Sequence, residues 1–476
     1  MNKLKLNYKR TCLIGFAFFG ILLLWQVYDT WCPPFLTDIF ARAMYNLTPA
    51  ELNLAANADK RLEVQWLVGI VMACDNLAAL ILLPIFGRLS DKAKTPIGKR
   101  MPFILIGTFV SALAFPFIPL FFHYNNIVGM VIMMAVILMF MMMYRNPAVS
   151  LMPDMTPKPL RAKANGIINI MGYFGGAFAA VLSMILAFSD YIISDEATRN
   201  ARFWTIEIPF VIASVLMVIS AFVLFLTIKE NKIAEEVRGD MELGEKMAEL
   251  ANPVEEDKPL TKANKIMLWG ILIAEFLWFM ADNALGTYLS NYIVYYMHAK
   301  SSAAGILTIA GGVASVGGFA IAGFIADKIG RKWTVSIGLG LTLLALVLMC
   351  VTFPNAIPEG KEYASVPILL YIVWVVKGFG MALVHNCSFP MVVELSTGKT
   401  IGRFTSMYYA ASMSAQTITP VLLGLIFKTT LAWNALPIYS TILIGLSVTA
   451  FIIIVKNVKS KGTNNAKGLE ALGADD

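Results

Sequence analysis

What most limits this chain is a succession of apolar blocks, each about twenty residues long, running from near residue 11 to near residue 456. A helix rising 1.5 Å per residue needs about that length to cross a hydrocarbon core roughly 30 Å thick. Only 14% of the residues are charged and 58% are hydrophobic, against about a quarter charged in a soluble protein, so these blocks cannot all be covered inside a water-soluble globule. Lipid is the expected solvent. Read in order, the blocks place helices near 11–40, 64–87, 102–122, 127–152, 163–189, 203–228, 265–297, 302–326, 333–353, 367–393, 403–427 and 436–456, which gives an all-α integral membrane protein of twelve spans.

A net charge of +7 does not point to nucleic acid, because the basic residues are scattered through short connections. Connections on the side of the N-terminus carry Arg88, Lys92, Lys94, Lys99, Arg100, Lys158, Arg161, Lys163, Lys328, Arg331, Lys332, Lys399 and Arg403, and the opposite side carries fewer. By the positive-inside rule both termini are expected in the cytoplasm. The run after Lys3, Lys5, Lys9 and Arg10 is too long for a signal peptide and reaches Trp31-Cys32-Pro33-Pro34 without a small-residue cleavage site, so it reads as the first span. Five cysteines without metal-ligand or redox spacing give no reason to expect a metal or a cofactor. In the first loop, Thr48-Pro49-Ala50-Glu51 has the pattern of a capping box with Pro at the first helical position, which predicts a short surface helix.

The long charged stretch Lys229 to Lys262, with Pro253 and Pro259, divides the chain into six-helix units at 1–228 and 263–456, with a disordered cytoplasmic tail expected at 457–476. An internal repeat supports that division. Gly87-Arg88-Leu89-Ser90-Asp91 followed by Gly98-Lys99-Arg100 recurs as Gly323-Phe324-Ile325-Ala326-Asp327 followed by Gly330-Arg331-Lys332, each at the end of the second span of its half. A weaker echo pairs Pro147, Asp154 and Arg161 with Pro390, Glu394 and Arg403. Duplicated units are a recurrent transporter design.

This repeated Gly-x-x-x-Asp, then Gly and two basic residues, resembles the signature loop of the major facilitator superfamily over essentially the whole chain. In that reading glycine lets helices approach, and Gly87, Asp91, Gly98, Lys99, Arg100, Asp154, Arg161, Gly323, Asp327, Gly330, Arg331, Lys332, Glu394 and Arg403 form cytoplasmic latches that gate access. The first copy, with its four extra residues before Gly98 and its run into Met101-Pro102-Phe103-Ile104, resembles sucrose transporters and the related glycoside-pentoside-hexuronide:cation symporters. Asn146-Pro147, Leu151, Asp154, Arg161 and Ala164-Asn165-Gly166 resemble the same families. The resemblance implies uptake of a sugar, such as a glycoside or disaccharide, with H+ or Na+, by a cell-membrane protein acting as a monomer.

A charge deep in lipid needs a partner, a wet cavity or a function. Asp29, Asp75 and Arg145 are the candidates for cation coupling. Trp25, Gln26, Asn76, Asn146, Asn169, Trp278, Asp282, Tyr288, Lys377, His385, Asn386 and Gln416 are the candidates for binding substrate, since rings cover sugar C–H faces while carboxylates and amides take hydroxyls. Glu275, Trp278, Phe279 and Asp282 share a helical stripe, as do Lys377, Met381, His385 and Ser388. Two positions depart from the relatives: Val149 stands where sucrose transporters have Arg, with Arg145 a turn earlier, and Asp75 lacks the second acid of melibiose-type symporters, Ala79 taking its place. The second departure favours protons over sodium.

An enzyme is not expected, because no nucleotide loop, zinc pattern or nucleophile elbow occurs. The competing reading is an exporter of a drug or metabolite. The fifth span has Gly166, Gly172, Gly175 and Gly176 without the internal Pro of many exporters, which favours uptake. The expected orientation is open to test by thiol labelling of intact cells: a cysteine at Asn57 should react and one at Glu245 should not, and the opposite pattern would reverse the topology.

Overall fold

The computed structural model describes residues 4–251, 261–396 and 401–455. Lys399, Pro253, Pro259 and the expected tail at 457–476 lie outside them. Among the described residues, twelve helices are long and apolar enough to cross a membrane: Tyr8–Tyr45, Ala55–Lys92, Met101–His123, Ile127–Asp154, Lys163–Ile192, Glu196–Thr227, Lys262–Tyr296, Ser302–Ile329, Arg331–Cys350, Ile368–Glu394, Gly402–Ile426 and Ala432–Ile454. Helices of this length pair most of their backbone groups internally, as hydrocarbon demands. Outward faces carry large apolar side chains such as Leu113, Ile185 and Ile453, which bare protein would leave to water and lipid covers.

The two halves use the same pairings. Within the first, the first span packs on the fifth and sixth, the fourth on the second and third, and the third on the sixth. The second half repeats this as seventh on eleventh and twelfth, tenth on eighth and ninth, and ninth on twelfth. Between halves, the second span crosses the eleventh, the fifth crosses the eighth, and the first meets the seventh. Thr48 caps Pro49–Leu52 in a complete capping box. Its backbone N–H and hydroxyl hold the Glu51 carboxyl below its ordinary value, so the cap is present at neutral pH and is lost only in acid.

At the end of the bundle opposite the termini, the halves are locked together. A Cβ on Gly69 would stand 2.1 Å from the Pro420 carbonyl oxygen, and one on Gly424 would stand 2.5 Å from that of Gln65. Backbone meets backbone there, as small residues allow in membranes. The Tyr288 hydroxyl donates to the carbonyls of Pro420 (2.6 Å) and Gln65 (3.3 Å), and Asn291 Nδ2 donates to Thr37 Oγ1 (2.9 Å) and Gln65 Oε1 (3.1 Å). The backbone N–H groups of Ser189 and Ser301 each donate to the other's hydroxyl. Asp190 pairs with Lys300 (2.9 Å) and accepts from the Tyr363 hydroxyl (2.7 Å). Just past the closing residues, the seventh span loosens into a π turn at Tyr292–Tyr296.

Toward the termini the halves part. The second span exposes Leu80, Ile81, Ile85 and Leu89, and the eleventh exposes Gly402, Arg403 and Ser406. Overpacking costs roughly 1–3 kcal/mol, enough to move a two-state balance by about tenfold or more. Gly69→Val should therefore wedge the locked end apart and raise labelling of a cysteine at Thr287 from that side about tenfold in a cysteine-free background. Labelling that stays at the starting rate would show that the crossing absorbs the side chain.

Candidate functional site

Between the halves lies a cavity of about 570 Å³, within the range of small-molecule sites. The first half contributes Trp25, Gln26, Asp29, Thr30, Asp75, Asn76 and Arg145, and the second contributes Asn283, Thr308, Ser315, Lys377 and Gln416. The lining thus carries two carboxylates, two cations and several amides and hydroxyls beside two large rings, Trp25 and Trp374. Trp25 stands edge-on to Tyr28 at 5.7 Å, which fixes its plane.

The first span owes its position here to its small residues, Gly15 and Gly20 among them, which let it sit against the fifth and sixth. Its Pro33 and Pro34 continue the helix but have no N–H to give the carbonyls of Asp29 and Thr30. Two backbone oxygens are thereby released beside the Asp29 carboxylate. Asp75 accepts from the backbone N–H (2.5 Å) and Nδ2 (2.8 Å) of Asn76, which turns both side chains toward one another on the second span. Lys377 and Asp282, both expected to bind substrate, pair with one another at 2.5 Å within the second half. Lys377 is thus neutralised inside its own half.

Several expected binding residues lie elsewhere. Trp278, on its stripe of the seventh span, and Tyr288, at the locked end, are both fully buried in the helix core against neighbouring helices, and neither lines the cavity. Glu275, on the same stripe, is also fully buried. Asn146 donates to the Leu83 carbonyl at 2.5 Å, over Gly87, and so ties the fourth span to the second. Asn169 is buried, His385 packs on the Phe279 ring at 5.3 Å, and Asn386 is half-buried, all three outside the cavity lining.

Most of the expected latch residues gather in two clusters at the terminus end. Arg100 reaches Asp91 (2.5 Å), Asp154 (2.9 Å) and the Ser90 hydroxyl (2.5 Å), and Lys99 reaches Asp154 (3.0 Å). In the second half Arg331 pairs with Glu394 at 2.5 Å, and Lys332 donates to the Ile452 carbonyl. Gly98 and Gly330 both take positive φ, 115° and 87°, at equivalent turns. Gly323 stays half-buried near the end of the eighth span. Arg161 does not join Asp154; it donates to the carbonyls of Pro153 and Thr156 and so finishes the fourth span. Asp327 and Arg403 are exposed.

One cluster was not anticipated. Asp38, fully buried at the locked end, lies 2.9 Å from Arg42, 3.3 Å from Arg199 and 3.9 Å from Arg61. Arg61 also lies over the Tyr295 ring of the other half at 4.7 Å. The i,i+4 spacing of Asp38 and Arg42 was visible in the sequence; the other two arginines come from the first turns of the second and sixth spans.

Comparison with known proteins supplies the wider context. A family model described as MFS/sugar transport protein matches residues 13–455. Solved structures share the fold: the inward-open xylose transporter XylE from E. coli, at 17% identity with 97% of this chain and 98% of that one covered, has a TM-score of 0.61. A bacterial homolog of the human lysosomal transporter Spinster, in an inward-facing and occupied conformation, gives 13%, 94%, 96% and 0.62 in the same order. A variant of the nucleoside transporter NupG gives 14%, 94%, 100% and 0.59. No curated protein matches by sequence. The matched family and these neighbours are membrane transporters.

Asp282 and Lys377 are half-buried, so removing one partner leaves a charge that is only partly hydrated and costs less than the roughly 3–5 kcal/mol of a fully buried pair. Asp282→Asn and Lys377→Met should each lower the melting temperature of the purified protein, and the double variant should recover most of the loss. Additive losses would show that the two groups are not coupled.

Proposed function

From the premise that the chain belongs to the MFS/sugar transport protein family, we propose that it takes up a sugar together with a proton across the cell membrane, as a monomer, by alternating access. The terminus end, rich in Lys and Arg, is the cytoplasmic one, so this state is open inward and locked outward. One observation carries the coupling: the Asp282–Lys377 pair is internal to the second half, while Asp29 and Asp75 face the cavity from the first. A carboxylate not committed to a lysine is free to exchange a proton with the cavity as the halves rock. The carbonyls of Asp29 and Thr30, released by the two prolines, add acceptors for a hydrated proton or a sugar hydroxyl.

Trp25 offers an apolar face to the sugar ring, and Gln26, Asn76, Asn283, Ser315 and Gln416 offer hydroxyl partners. Arg145, also at the cavity wall and in electrostatic range of Asp75, orders the coupling acid. The two latch clusters, around Arg100 and around Arg331 and Glu394, hold the terminus end of each half as a unit during the exchange of states.

One charge crossing roughly 150 mV gains about 3.5 kcal/mol, which supports about 300-fold accumulation. Proteoliposomes tested with mono- and disaccharides, with pH and sodium varied separately, should show counterflow and proton-driven uptake. Asp29→Asn or Asp75→Asn should abolish uphill uptake and leave counterflow, because exchange need not release the proton. Accumulation that survives in both variants would move the coupling site away from these acids, and substrate driven outward by an inward proton gradient would favour export.

A further inference from the structure

Glu230 opens the helix between the two halves, Glu230–Ala251, yet its side chain is only 4% exposed. It lies beneath the first signature loop. Its carboxylate accepts from the backbone N–H groups of Lys99 (3.0 Å), Arg100 (3.0 Å) and Met101 (3.2 Å). These donors open the third span, where a helix has no acceptors of its own. A carboxylate there gains both charge-assisted hydrogen bonds and the helix dipole.

The loop is shaped to admit it. Gly98 takes φ of 115°, and a Cβ at that position would stand 2.1 Å from Glu230 Oε2. Beside it, Asn231 Nδ2 donates to the carbonyls of Thr95 (3.1 Å) and Pro96 (3.0 Å). Further along, Glu245 pairs with Lys158 at 3.0 Å, and Gly244 rests against Pro157 and Pro159. The helix therefore bridges both terminus-end loops of the first half. Arg100 is gripped twice, through its backbone by Glu230 and through its guanidinium by Asp91 and Asp154.

We propose that Glu230 is a positioning residue through which the linker between the halves sets the first signature loop, so that movement of the linker helix is transmitted to the Arg100 cluster. Any strain on the linker as the halves separate pulls first on this carboxylate. Only the consequence for transport rests on the alternating-access reading; the contact itself does not.

Hydrogen exchange on the full-length protein in lipid nanodiscs tests the contact. In Glu230→Ala, exchange at residues 99–101 should rise about tenfold, the loss of charge-assisted bonds, while the first and fourth spans keep their protection. Glu230→Gln, whose neutral oxygen still accepts, should show a smaller rise, and Gly98→Ala should reproduce the local effect from the loop side. In proteoliposomes, Glu230→Ala should lower the maximal counterflow rate severalfold at unchanged half-saturation. Unchanged exchange at 99–101 overturns the proposal, and so does a rise spread through the whole first half, which would mark a purely structural role. Local acceleration with unaltered counterflow also overturns it. A wild-type protein without sugar counterflow would count against the transport reading alone, and the exchange measurement would then decide the proposal.

Discussion

The crossing of the second and eleventh spans at the end opposite the termini governs the rest of this structure. Gly69 and Gly424 bring backbone against backbone there, and dispersion forces, which must hold helices together where lipid removes the hydrophobic drive, are strongest at such contact. Because the halves touch closely at this end, their terminus ends diverge and a cavity opens between them. Tyr288, Asn291 and Gln65 then serve as its roof.

Charge is distributed accordingly. Asp38 and its arginines are buried together at the locked end, and Arg61 reaches from that cluster to the Tyr295 ring of the other half. Asp282 and Lys377 neutralise one another in the second half. Asp29 and Asp75 stand at the cavity wall, where a charge needs hydration or a bound ligand in place of a partner. The same rule, that a buried ion must be compensated, thus yields structural pairs in two places and a candidate coupling site in a third.

The two halves repeat one packing scheme but not one chemistry. Arg100 with Asp154 and Arg331 with Glu394 are equivalent pairs at equivalent turns. Among the described residues a linker carboxylate underpins the first and not the second, because the linker begins directly after the sixth span and folds back over that half. Duplication supplied symmetric latches, and the connection between the copies made them unequal.

The sequence by itself determined the solvent, the twelve spans and the repeat, and pointed to the residues gathered around Arg100 and Arg331, since block length, charge scarcity and loop motifs are local properties tied to bilayer thickness and turn geometry. It also made Trp25, Gln26, Asp29, Asp75, Asn76, Arg145, Lys377 and Gln416 legible as cavity candidates, because polar groups in an apolar block are conspicuous. It could not say which side of a helix faces the cavity. Trp278, Tyr288 and Asn146 were plausible there, and tertiary packing turned them into the core or onto a neighbouring helix. Partners from distant segments were equally invisible: Lys377 with Asp282, Asp38 with Arg61 and Arg199, Glu230 with the Arg100 backbone. Each of these depends on the rotation and crossing of whole helices, which close backbone approach fixes and no local pattern encodes.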